Sequence, residues 1–154
     1  MKPKIIQDTR EKQPLDFEFY GYEVVVAKLN AGDYSVLGME NELFIERKAS
    51  TGELSNNFGK KRDTFFRELD RAKHIPNKYI ICEFLHEDIL CFPNRSKIPH
   101  NKLKYVRMNA GFILKTIEEI ELNYDVEFLF CGSKEKATNK IVELIEECLK
   151  RKNQ

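Results

Sequence analysis

The chain has 154 residues, 42% of them hydrophobic, and a formal net charge of +1. That length can bury a core within one compact unit, and the balanced charge lacks the strong basicity that announces many dedicated nucleic-acid binders. No apolar run approaches the roughly 20 residues of a membrane span, and the start Met1-Lys2-Pro3-Lys4-Ile5-Ile6 is too short and too quickly polar for a signal peptide. The expectation is a protein without a membrane span that stays inside the cell, cytoplasmic or, in a eukaryote, nuclear.

In chain order, residues 4–8 read as a short strand and residues 22–29 as another, whose Val24-Val25-Val26 run suits a strand covered on both faces. Residues 9–21 between them are a loop. Asn30-Ala31-Gly32-Asp33 is a turn, residues 34–37 a strand, residues 38–41 a hairpin turn and residues 42–48 the returning strand. Residues 51–73 are helical in two pieces, broken at Asn56-Asn57-Phe58-Gly59; Phe65, Phe66, Leu69 and Ala72 fall at helical spacing as core anchors. A buried strand at 78–84 precedes an irregular segment through Pro93 and Pro99. Then come a helix at 102–124, a strand at 126–131 and a final helix at 133–151 capped by Ser133, with a frayed tail. Alternating strands and helices after an initial hairpin predict an α/β domain with a mixed sheet flanked by helices, and nothing divides residues 1–154 into two units. Cys82, Cys91, Cys131 and Cys148 are widely spaced, three of them in apolar runs, the pattern of reduced core thiols rather than disulfides or a zinc site.

The sharpest local feature is Gly32-Asp33-Tyr34, a hairpin, then Ile45-Glu46-Arg47-Lys48. The hairpin folds Asp33 back beside Glu46, and two carboxylates converging from adjacent strands form a hard oxygen site for Mg²⁺ or Mn²⁺, completed by backbone carbonyls and water. Lys48 lies two residues beyond Glu46 and so shares its face, where its ammonium can orient an attacking water and stabilise charge on a phosphate; Arg47 points the other way. Asp8-Thr9-Arg10-Glu11 ends the first strand, where Asp8 and Glu11 could extend the cation site and Arg10 could pair with them or grip phosphate. Each element alone has an ordinary explanation, Asp33 as a turn residue and Glu46 as part of an exposed salt-bridge cluster. Their order together carries the argument.

Residues 47–73 hold eight basic residues against four acidic ones, a local balance of +4 beside this motif. Lys60, Lys61 and Arg62, with Arg67 one turn further on, are the candidates for gripping a phosphate backbone. The three histidines lack partners at ligand spacing, and no G-x-x-x-x-G-K-[ST] loop for an ATP phosphate occurs.

The order Asp8-x-Arg10-Glu11, Gly32-Asp33, Glu46-Arg47-Lys48 resembles the XPF-type nuclease domain, a branch of the PD-(D/E)XK superfamily with the motif G-D, a variable gap, then E-R-K-x-x-x-D. The likeness continues through the break at 56–59, Arg62, the following helix and the strand ending Glu83-Phe84. It weakens across residues 85–124 and recovers in the last strand and helix. One departure stands out: Gly52 occupies the place of the motif's last aspartate, with Glu53 immediately after it. The resemblance implies a restriction-endonuclease-like fold and a metal-dependent endonuclease on DNA, branched substrates such as flaps, forks or junctions being favoured. Asp33, Glu46 and the Arg47 carbonyl would hold Mg²⁺ or Mn²⁺, Lys48 would position water, and Asp8 and Glu11 would support the metal or a second cation. Relatives usually carry a helix-hairpin-helix DNA-binding domain, absent from this sequence, and dimerise; a homodimer or an accessory DNA-binding partner is therefore part of the expectation. The competing reading is a catalytically silent DNA-binding or scaffold subunit, and an RNA-directed nuclease would share every motif.

Overall fold

The computed structural model describes residues 2–154; Met1, part of the N-terminal stretch considered above, lies outside them. Six strands, β1 (Ile5–Gln7), β2 (Val24–Val26), β3 (Tyr34–Val36), β4 (Leu43–Lys48), β5 (Asn77–Cys82) and β6 (Glu127–Phe130), form one sheet in the order β2-β1-β3-β4-β5-β6. β1 runs parallel to β2 and antiparallel to β3, β3 is antiparallel to β4, and β4, β5 and β6 are mutually parallel. Parallel neighbours need long crossovers. These are supplied by α1 (Thr51–Phe58) and α2 (Arg62–Arg71) between β4 and β5, and by α3 (His86–Leu90) and α4 (Ala110–Tyr124) between β5 and β6; α5 (Lys134–Lys152) follows β6.

The two-residue alternation of a strand divides β4 between two cores. Phe44 packs with Leu54, Phe58, Phe65, Ile80 and Ile113 under α1, α2 and α4. Leu43 and Ile45 pack with Tyr34, Ile81, Ile141 and Ile145 under α5. The sheet is thus covered on both faces, and every residue of β4 is buried. Glu46 and Lys48 continue the Phe44 side and Arg47 the α5 side, so charged groups at the end of β4 are carried into a largely apolar interior. That alternation is what creates the site described below.

Several boundaries differ from the sequence expectations, each for a local reason. The Val24–Val26 run is at the sheet edge, with Val26 61% exposed, rather than covered on both faces; a valine run reports strand propensity, not position in the sheet. The break in residues 51–73 falls after α1 at residues 59–61, because Asn56 and Asn57 complete its last turn. The helix expected from residue 102 begins at Ala110, where the Asn109 side chain accepts from Phe112 N at 2.8 Å; residues 100–105 are a separate 3-10 turn after Pro99. Helix α3 lies within the segment read as irregular, and the terminal helix runs through Lys152, past the start of the tail expected to fray. Its cap is Ser133, whose hydroxyl accepts from Lys136 N at 3.1 Å.

Candidate active site

The β3–β4 ladder sets Tyr34 opposite Ile45, and continuing that register brings Asp33 against Glu46. Asp33 is fastened by its backbone on both sides: its N–H donates to Ile45 O at 2.8 Å and its carbonyl accepts from Asp8 N at 2.8 Å. Its Oδ2 accepts from Arg47 N at 2.8 Å. The residue before it must be glycine. Gly32 has φ of +86°, and a Cβ there would lie 3.0 Å from Ile45 O and 3.1 Å from the Phe44 ring.

Glu46 and Lys48 share one face, as their spacing predicts, with Lys48 Nζ 2.8 Å from Glu46 Oε2. The other oxygen, Glu46 Oε1, is buried without a hydrogen-bond partner among the described residues. Lys48 is only 4% exposed and stands over the face of Phe65, 5.0 Å from the ring centroid; Phe65 is a core anchor and also the floor under this ammonium. Burial works against the Lys48 charge, but Glu46, Glu53 and Asp33 outweigh it and hold its pKa above the usual lysine value. Asp33 is pushed in the unfavourable direction: burial first, then Glu46, raise its pKa well above the carboxylate range against the pull of Lys48. Two acids that repel one another, Asp33 half-buried and Glu46 buried with an unpartnered oxygen, fit a divalent cation with oxygen ligands. Among the described residues no group of three His, Cys, Asp or Glu side chains forms a ready-made cage, so two carboxylates, the Arg47 carbonyl and water constitute the donor set.

The upstream acids are placed elsewhere. Asp8 is buried, with Oδ1 accepting from Leu29 N at 2.8 Å and Oδ2 from Arg10 N at 3.1 Å and Arg10 Nε at 2.7 Å. Burial opposes ionisation of this carboxyl, but the Arg10 contacts and the Leu29 amide prevail and lower its pKa. Both oxygens are therefore committed to locking the end of β1. Glu11 pairs with Arg47 Nη1 at 3.2 Å on the α5 side, where Glu83 takes Arg47 Nε. The Asp8 and Glu11 carboxylates each pair with an arginine, and among the described residues neither forms a three-carboxylate group with Asp33 and Glu46. The Arg10 side chain is 61% exposed and near enough for Asp33 and Glu68 to act on its charge.

Gly52 now has a structural reason. Its N–H donates to Ser96 O at 3.1 Å, and a Cβ would sit 2.5 Å from that oxygen and 2.9 Å from Ile98 Cγ1. The 96–98 segment occupies the space an aspartate would need. Glu53 lies beside it as the third residue of α1, accepting from Ala49 N at 3.2 Å while its Oε1 is 3.7 Å from Lys48 Nζ. With Ser50 Oγ accepting from Glu53 N at 3.1 Å, Ser50 and Glu53 satisfy free amides at the helix start in the manner of a capping box.

Of the basic candidates, Lys60 and Lys61 are exposed in the turn between α1 and α2, and Arg67 is exposed on α2. Arg62 is engaged otherwise. It donates to Phe58 O at 3.2 Å, pairs with Glu119 at 3.7 Å, and lies over the Phe66 ring at 4.6 Å, which makes it a strut between α2 and α4. Sequence reasoning missed Glu68, whose Oε2 accepts from Gly32 N at 3.1 Å. Burial, then Glu46, push its pKa up to about 7. The available signal was its position one turn after Phe65 and beside Leu69, on the inward face of an amphipathic helix.

The family profile described as ERCC4 domain matches residues 7–144. The chain belongs to the ERCC4 domain family. This is a family of DNA nucleases, and the ERCC4 match spans every motif element from Asp8 to the last helix. Among solved structures the domain is similar to XPF from Aeropyrum pernix, with TM-score 0.65 and 19% identity over 93% of this chain and 65% of that one. It is also similar to the same protein in complex with DNA, with TM-score 0.66 and 20% identity over 97% and 66%. The chain spans about two-thirds of those proteins' length. No curated protein sequence matches.

Proposed function

We propose that this chain is a divalent-metal-dependent endonuclease that hydrolyses DNA phosphodiesters, with branched DNA as its substrate. The observation that carries the reading is the Asp33–Glu46–Lys48 arrangement, in which Glu46 Oε1 is buried without any hydrogen-bond partner among the described residues. Asp33, Glu46 and the Arg47 carbonyl would hold Mg²⁺ or Mn²⁺, which when bound lowers the pKa of water and polarises the phosphoryl group. Lys48 stays protonated, so it acts as a hydrogen-bond donor and a positive charge: it orients the attacking water and stabilises negative charge on the phosphate oxygens. Arg10, exposed beside Asp33, contacts an adjacent phosphate, while Lys60 and Lys61 extend the basic track along the duplex. Membership of the ERCC4 domain family supports the nuclease reading, and the likeness to XPF from Aeropyrum pernix in complex with DNA supports this choice of polymer.

The test is cleavage of end-labelled forked, flapped, junction and linear DNAs, with an RNA counterpart, in Mn²⁺, Mg²⁺ and EDTA. Cutting of branched DNA that needs the metal is the expected result. Binding of these DNAs with no cutting in either metal would instead identify a silent DNA-binding subunit.

A further inference from the structure

Divalent ions such as Mg²⁺ retain several waters when protein supplies few ligands, and those waters need acceptors for their protons. The two-carboxylate arrangement of Asp33 and Glu46 leaves such a need. Helix α2 brings a third carboxylate to the same place: Glu68 Oε2 accepts from Gly32 N at 3.1 Å, immediately before Asp33, and Glu46 and Lys48 both act on its charge. The carboxyl is thus held against the Asp33 turn, within electrostatic reach of Glu46 and Lys48. Lys48 is the ammonium that Asp33, Glu46 and Glu68 share, and its ion pair engages Glu46 Oε2, while Glu46 Oε1 is buried with no hydrogen-bond partner among the described residues. An aliphatic residue at position 68 would fill the inward face of α2 at lower electrostatic cost.

We propose that Glu68 is the third carboxylate of the cation site, holding the divalent ion through its hydration water from helix α2. The inference rests on the Asp33–Glu46 cation site argued above. Glu68 has a second effect through Gly32: its hydrogen bond fixes the turn that presents Asp33. The two contributions separate by substitution, because Glu68→Gln keeps an oxygen acceptor for Gly32 N and removes the charge, whereas Glu68→Ala removes both.

The experiment is Mn²⁺ binding to the DNA-free protein, followed by calorimetry and by the electron paramagnetic resonance of free Mn²⁺. It compares wild type, Asp33→Asn, Glu68→Gln, Glu68→Ala and the exposed control Glu135→Gln, with metal-free melting as the check on folding. The expected result is an approximately tenfold or greater loss of Mn²⁺ affinity in Glu68→Gln at unaltered fold, the scale seen when a group orienting a metal's ligands is removed, and no change in the control. Wild-type affinity in Glu68→Gln, with affinity lost in Asp33→Asn, overturns the role of Glu68 and leaves the Asp33–Glu46 site standing. Mn²⁺ binding that is absent from the wild type, or unaffected by Asp33→Asn, overturns both.

Discussion

Placing alanine or aspartate at Gly52 forces a Cβ to within 2.5 Å of Ser96 O and 2.9 Å of Ile98 Cγ1. The first obstacle is backbone, so relief requires the 96–98 segment to move and the Gly52 N to Ser96 O hydrogen bond to lengthen. Overpacking of this kind costs about 1–3 kcal/mol, and a weakened hydrogen bond adds about 1 kcal/mol. Alanine recovers at most about 1 kcal/mol over glycine in a helix, so Gly52→Ala should lose about 1–3 kcal/mol. At roughly 2–4 °C per kcal/mol for a chain of this size, the melting temperature should fall by roughly 2–12 °C. Gly52→Asp should fall further, since its carboxylate enters beside a carbonyl oxygen without a donor, although it restores the motif residue. Thermal and urea denaturation measure the loss, and cleavage of the preferred DNA should not rise. A Gly52→Asp protein that melts at or above the wild-type temperature and cuts faster would refute the claim that the Ser96 segment excludes a side chain.

In metal-free buffer, Glu68 keeps its proton in the native chain from its ordinary value of 4.5 up to about 7, while an unfolded chain has released it. The native state binds more protons across that window, so the contribution is present below the lower value and lost as pH rises through the upper one. Urea midpoints of the wild type should therefore fall relative to Glu68→Gln between pH 5 and pH 8, and a pH-independent difference contradicts the assignment. Replacing Arg47 with alanine leaves Glu11 and Glu83 buried without a cation and should cost about 3–5 kcal/mol by urea denaturation; an undiminished midpoint would show that the pairing is not structural. Arg62→Ala should lower the melting temperature by loosening α2 from α4. Lys60→Ala with Lys61→Ala should leave melting unchanged and reduce the salt dependence of DNA binding by about 1 per lysine; the reverse pattern would exchange their roles.

The chemistry of Asp33, Glu46 and Lys48 is legible in sequence because hairpin pairing and strand alternation are local rules. Gly32 followed by an acid, a short turn and a strand of period two suffices to bring the three together. What lies across the sheet is not local. Arg47 has the same spacing whether it meets solvent or Glu11 and Glu83, and only the approach of β1 and β5 decides between them. Glu68 is hidden for the same reason: in a basic stretch it reads as one acid among several, and only the docking of α2 on β4 turns it toward Gly32. The strut made by Arg62 is hidden for the same reason, because Glu119 and Phe66 reach it only once α4 is packed. Gly52 is comprehensible solely through the 96–98 segment, which lies in the part of the chain least ordered by periodicity. The start of α4 was a matter of local signals after all: Asn109 is a strong cap, and the helical spacing read upstream of it is the 3-10 turn after Pro99.

The most direct test of the central claim is cleavage of the preferred branched DNA in Mn²⁺ by the wild type, Asp33→Asn and Lys48→Ala, each shown to be folded and to bind that DNA. The account predicts cutting by the wild type alone, abolished by EDTA, with both variants bound and inactive. Equal cutting by Asp33→Asn would contradict it, because the chemistry would then lie outside the Asp33–Glu46–Lys48 site.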